Sequence, residues 1–313
     1  MIFPPLHEVS DELADSAIHL YAPKPTYRMR QGGRGERDPL LEGQNHPNGA
    51  MLYFHLAEIP EEEGVFLEIL EEDGTLVKRF SSVAEGGEEG AALEVKEGAN
   101  LFVWDLRYAD ALSFDGLILY SSNTRGPVAV PGTYRARLTA GDQISEQTFE
   151  ILKDPRVQST QADLQAQFDF LIAVRDKLSE AHQAVINARR LFADLDYIKA
   201  KASGVNGADE LLAAIEALRS DASVIENNLH ETRNEAYQDP LNFGIKLNNR
   251  LAYLATHESS GDYAPTDQGQ AYFQEVSAQI DVEVAAMEAL LSKRLPALDQ
   301  MARDAGIGLL ATP

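Results

Sequence analysis

Along residues 49–153 apolar and polar positions alternate in short runs; from Ser159 onward they recur every three or four residues instead. The first rhythm is that of a strand with one buried face, the second that of a helix with one buried stripe. The chain therefore reads as antiparallel β-structure followed by long helices.

Within the β-stretch, Met51 to Leu56 reads as one strand, and Val65 to Leu70 as a second. Asp73-Gly74 then leads into Leu76 to Phe80; this dipeptide tolerates the positive φ of a tight turn, so the pair predicts a hairpin. Asn100 to Tyr108 alternates with Phe102, Trp104 and Leu106 on one face and Asp105 and Arg107 on the other. Pro131 to Leu138 and Ile144 to Leu152 predict a last strand pair around Gly141-Asp142. Short strands separated by turn signals suggest a β-sandwich of about 100 residues.

In the helical stretch one stripe runs through Leu164, Phe168, Leu171, Val174, Leu178, Ala181, Val185, Ala188 and Phe192. Leu212 to Leu229 carries a second, and Asp239-Pro240 breaks the chain. Ile245 to Leu254 predicts a shorter helix, and Tyr272 to Leu291 another, kinked or ended near Pro296. Long helices with short links imply an up-and-down bundle. Residues 1–48 are rich in proline and glycine and read as an extended arm lying across another surface. Its one amphipathic piece, Ser10 to Leu20, reads as a helix capped by Ser10, with Asp11 and Glu12 in the first turn. The expected organisation is α+β and multidomain: an arm at 1–48, a sandwich at 49–155 and a helical bundle at 156–313.

Charge narrows the functional classes. A formal net charge of −23 argues against a sequence-independent grip on nucleic acid or an anionic membrane. With 9 lysines against 18 arginines, the acidic surface fits a high-salt organism, a GC-rich genome or plain solubility. Cysteine is absent, which removes disulfides, thiol catalysis and thiolate metal sites. No apolar run approaches the ~18 residues of a membrane span. The first eight residues lack the basic and apolar regions of a signal peptide, so none is expected in this chain, and its compartment stays open.

Several segments in order, "HLYAPKPTYRMRQGG…NHPNGAMLYFHL", "NLFVWDLRY", "GPVAVPGTYRARLT", "DPRV…TQADLQAQFDFL" and "NFGIKLNNRLAYL", resemble one family over nearly the whole chain. It is the C-terminal region of the large bacterial sortilin-like BNR-repeat proteins, often labelled glycosyl hydrolases, in which a β-propeller precedes this region. Trp104-Asp105 followed by Pro131-Gly132-Thr133-Tyr134 also resembles the immunoglobulin-like fold of flagellar hook-capping and secretion-tail domains. The resemblance implies an immunoglobulin-like sandwich plus bundle, and export by analogy. The Asp-box of the family's blades (Ser/Thr-x-Asp-x-Gly-x-Thr-Trp) does not occur here, so any hydrolase activity is expected in a propeller outside this chain. The expectation is a non-catalytic scaffold or interaction module whose partner is a β-propeller. The alternative is a carbohydrate-binding or glycoside-hydrolase-associated module with an acidic cleft.

The sequence holds no nucleophile elbow, phosphate loop, zinc-binding histidine pair or dinucleotide fingerprint, and no cofactor or metal is expected. Arg175, His182 and Arg189 share one helix flank through steps of seven. That edge either receives an acidic partner or holds salt bridges. Arg28, Arg30 and Arg34, around the glycine-rich run Arg30 to Gly35, form a positive segment that either reaches an anion or pairs with acidic neighbours. Trp104 is expected in the core, with a sugar platform as the other reading. The acidic runs Glu61 to Glu63, Glu71 to Asp73 and Glu85 to Glu89 lack the ligand spacing of a calcium loop and read as a solvated rim.

Overall fold

The computed structural model describes residues 8, 10, 16–29, 46–60, 63–83 and 91–307. The chain is mixed α+β, with antiparallel sheets followed by a helical C-terminal region. Contacts divide it into two units. The first comprises residues 1–109 and 127–168, the second residues 110–126 and 169–313.

The first unit holds strands β1 (Ile18–Leu20), β2 (Thr26–Arg28), β3 (Ala50–Leu56), β4 (Val65–Glu71), β5 (Leu76–Ser81), β6 (Ala91–Ala92), β7 (Gly98–Trp104), β8 (Gly132–Ala140) and β9 (Gln143–Lys153). They form a three-stranded sheet, β1-β3-β7, and a six-stranded sheet, β2-β9-β8-β4-β5-β6. The larger sheet is curled into a half-barrel, with its two parallel pairings, β2 on β9 and β6 on β5, at the edges.

Local chemistry explains the tight turns. At Asp73-Gly74, Gly74 adopts φ 96° while Asp73 Oδ1 accepts from the Thr75 amide. Gly141 takes φ 54° between β8 and β9, which pair from Gly132↔Ile151 to Ala140↔Gln143. Gly49 is required for a different reason. Beside its φ of 145°, an added Cβ would lie 2.1 Å from the Trp104 carbonyl oxygen, where β3 and β7 pair.

Trp104, fully buried, anchors the core between the sheets, its ring 5.9 Å from that of Tyr134 on β8 and 6.2 Å from Phe149 on β9. Its indole N–H donates to the Arg107 carbonyl. The strand expected to run to Tyr108 ends at Trp104, because Leu106 turns into the left-handed region at φ 60° and keeps its side chain buried.

The expectation of an arm at 1–48 is corrected where the structure describes it. Residues 18–20 are a strand on β3, not the end of a helix, and residues 26–28 are a strand on β9. Pro23 and Pro25, which offer no N–H to a ladder, lie between them as the chain passes from one sheet to the other. Leu20 and Arg28 are buried there. Residues 11–15 of the expected amphipathic piece lie outside the described residues.

The helices are α1 (Gln161–Ala202), α2 (Asp209–Leu229), α3 (Pro240–Phe243), α4 (Leu247–Glu258), α5 (Asp267–Ala289) and α6 (Leu295–Asp304). Residues 161–168 of α1 belong to the first unit and the rest of α1 to the second. A π-helical turn, Leu290–Arg294, stands between α5 and α6 and ends two residues before Pro296. Proline has no N–H to continue the ladder, and the wider turn absorbs the interruption. Among the described residues, no helix is long and apolar enough to cross a membrane.

The core of the second unit joins the α1 stripe (Val174, Leu178, Ala181, Val185, Ala188, Leu191) to Ile215, Leu218 and Leu229 of α2, Leu251 of α4 and Ile280 of α5. Residues 110–126 complete it. Expected within the sandwich, this segment instead places Ala111 and Leu119 in the helical core, with Phe114 and Leu117 packed against it.

Candidate functional site

The flank of α1 defined by Arg175, His182 and Arg189 is met by the chain's own 110–126 segment. His182 is fully buried, and its Nδ1 is within hydrogen-bond distance of the Leu112 carbonyl, which makes Nδ1 the protonated nitrogen. One turn earlier, Ser179 Oγ accepts from the Leu112 amide. Arg189 donates to the Asp115 carbonyl, pairs with Glu226 of α2 at 2.9 Å and lays its guanidinium 4.6 Å from the centre of the Phe114 ring. Arg175 pairs with Asp176. His182 thus spends both ring nitrogens inside the unit, and Arg189 turns two of its donors inward, to Glu226 and to the Asp115 carbonyl.

Behind His182 lies a second imidazole. The Asn248 side-chain amide sits 3.3 Å from His182 Nε2 and 3.3 Å from His230 Nδ1, so one NH2 group donates to both rings. Asn248 Oδ1 accepts from the Asn249 amide. The Phe114 ring meets both imidazoles edge-on, each at 5.0 Å. This arrangement requires both rings neutral at the nitrogens that accept from Asn248. Burial lowers the His182 pKa to about 4, against the opposing pull of its bond to Leu112. Burial, then the Arg189 charge and His182, lower His230 to about 4, with Glu231 opposing.

Asn249, the next residue, holds the far end of the segment. Its Oδ1 accepts from the Tyr120 amide, while its Nδ2 donates to the Tyr120 carbonyl and to Ser122 Oγ. Tyr237 adds its hydroxyl, which accepts from the Ser121 amide, and a ring contact with Tyr120. The Asn248-Asn249 pair was missed at the level of sequence. Two adjacent carboxamides on a helix with a buried face were the available signal, because amides there require partners.

The remaining candidates lie apart. Arg28 is buried in the first unit and donates to Gln167 Oε1 of α1, itself buried. Arg30 and Arg34 lie outside the described residues. Trp104, at 0% exposure, offers no face to a ligand. Of the acidic runs, Glu71 accepts from the Tyr108 hydroxyl and Asp73 caps its turn, while Glu61, Glu62 and Glu85 to Glu89 lie outside the described residues. Among the described residues, no group of three or more histidines and carboxylates is placed to hold a metal ion.

A cleft of about 350 Å³ opens elsewhere in the helical unit, where the chain entering α4 faces α5. Lys246 and Arg250, one helical turn apart, line it together with the 66%-exposed Val282. No protein-family model matches the chain, and no curated protein matches it.

Proposed function

We propose that this chain is a non-catalytic interaction module that serves a β-propeller protein of the sortilin-like BNR-repeat family. On this reading, its sheets correspond to an immunoglobulin-like sandwich and its helices to an up-and-down bundle. One observation carries the non-catalytic part of the reading. Two of the chain's seven imidazoles, those of His182 and His230, are buried and joined through Asn248, with His182 bound to Leu112. A general base has to reach a substrate proton; these rings reach only their own chain. The family assignment draws on the order and spacing of the motifs from His19 to Leu254.

The test uses the full chain, because a chain cut before residue 49 would lose β1, β2 and the buried Leu20 and Arg28. It is mixed with a purified Asp-box propeller protein from the same genome and followed by sedimentation velocity at micromolar concentrations. A stable complex, without release of sugar from glycan substrates by the chain alone, is expected. Separate sedimentation of the two proteins sinks the proposal, and glycan hydrolysis by the chain alone would move the reading to the carbohydrate-active alternative.

A further inference from the structure

The cleft between the start of α4 and the face of α5 combines two kinds of surface. Its apolar part is Ile245 and Val282, of which Val282 is 66% exposed. Phe243, 39% exposed and two residues before Ile245, and Leu241, 60% exposed, extend this apolar character along the chain. Its cationic part is Lys246 and Arg250, and Arg233 stands beside it with its guanidinium 4.5 Å from the centre of the Phe243 ring.

Charge here runs against the rest of the chain. Glu231 is buried, and its bond to Arg233 holds its carboxyl well below the usual range, at about 2, so it stays ionised. Arg233 and Lys246 share that one charge, Lys246 from 3.8 Å. Glu283 on the opposite wall is engaged by the Asn228 amide. Arg250 has no ion pair among the described residues. Among the residues that line the cleft, two cations, Lys246 and Arg250, therefore stand against one carboxylate, Glu283, in a chain whose net charge is −23. Elsewhere the protein's net charge repels an acid; here a carboxylate meets Arg250 and Lys246.

The size and shape of the cleft also limit its occupant. Its volume is near the lower end of the ~300–1,000 Å³ of small-molecule pockets, and its wall continues into exposed apolar residues. It suits one or two side chains of a longer strand of polypeptide. Building on the interaction-module reading, we infer that this cleft docks an extended acidic peptide segment of a protein partner, with an Asp or Glu carboxylate on Arg250 and Lys246 and a neighbouring aliphatic side chain on Val282 and Ile245. Gln279 lines the same cleft, its Nε2 donating to the Glu275 carbonyl of its own helix. Recognition of this kind takes affinity from the buried apolar side chain and register from the charge-assisted bond.

The experiment titrates the full chain with the blocked peptide Ala-Leu-Asp-Leu-Ala and with its Asn counterpart, following the methyl resonances of Val282 and Ile245. Saturable shifts confined to the cleft are expected with the Asp peptide. Loss of the charged pair through the Asn peptide, or through Arg250→Gln, should weaken binding about tenfold, the equivalent of one charge-assisted bond. Val282→Asp, at an exposed position that leaves the core untouched, should abolish it. The absence of saturable shifts, equal binding of the two peptides, or shifts elsewhere on the molecule would overturn the inference. Because no propeller is present in the titration, the two conclusions fail separately. A missing propeller complex leaves a positive titration standing, and a negative titration removes the cleft whatever the propeller does.

Discussion

At the centre of the sheet unit Trp104 packs on Tyr134 and Phe149, and its one polar atom is answered three residues away by Arg107. At the centre of the helical unit, His182 and His230 share Asn248 across separations of 66 and 18 residues, and His182 reaches Leu112 across 70. One interior is organised by apolar and aromatic burial, the other by a polar knot that fastens an inserted segment. The difference has consequences for stability. An aromatic core is indifferent to pH, whereas a knot built on two neutral imidazoles is not.

The largest expected effect of a single substitution is on the aromatic side. Trp104→Ala should cost about 3–5 kcal/mol, the usual range for truncating a buried aromatic. Hydrogen exchange should show lost protection in β3, β7 and β8, with the α2 and α4 amides still protected. Equal loss in both units would break the contrast.

Acidification probes the other side. Both histidines titrate at about 4 in the folded chain, below their ordinary value of 6.5. The unfolded chain therefore takes up the protons first. Stability is fully present above pH 6.5, drains as the pH falls toward 4 and falls no further from this cause below it. At ~1.4 kcal/mol for each pH unit separating the folded from the unfolded value, the limit is about 3 kcal/mol per ring. Denaturant melts at pH 7 and pH 4 read it. The signal of Trp104, the chain's one tryptophan, should hold steady over this range in native buffer while helical stability falls. A flat helical stability profile would show that the imidazoles are not buried neutral.

The smallest effect sharpens the role of the inserted segment. Asn249→Ala removes three hydrogen bonds to Tyr120 and Ser122 and should cost about 1–3 kcal/mol, since it leaves partly buried groups without their partner. Exchange of the Tyr120 amide should accelerate while that of Trp104 does not. Parallel acceleration at both would mean that the segment is fastened to the sheets as firmly as to the helices.

Much of this architecture was legible in the order of residues. Alternation marked β3, β4, β5, β8 and β9, and Asp73-Gly74 and Gly141-Asp142 marked two turns, because a strand's rhythm and a turn's φ are local properties. The helical stripes were equally plain, as was an interruption near Pro296. Less legible were β1 and β2. A three-residue strand has no period to detect, and these two gain their stability from β3 and β9, far along the chain. The segment 110–126 was silent for a similar reason: Ala111, Phe114, Leu117 and Leu119 follow neither rhythm, yet pack with the helices.

Steps of seven placed Arg175, His182 and Arg189 on one flank but left open what that flank meets. The sequence by itself determined the elements, their buried faces, the cysteine-free chemistry and the strong negative charge, since each depends on residue type and near neighbours. Tertiary structure alone decided that the flank would clasp Leu112 and Asp115, that Asn248 would join two imidazoles, and that Lys246, Arg250 and Val282 would line one cleft. Those outcomes rest on contacts between residues tens of positions apart, and such contacts exist only once the packing of one element on another has been settled.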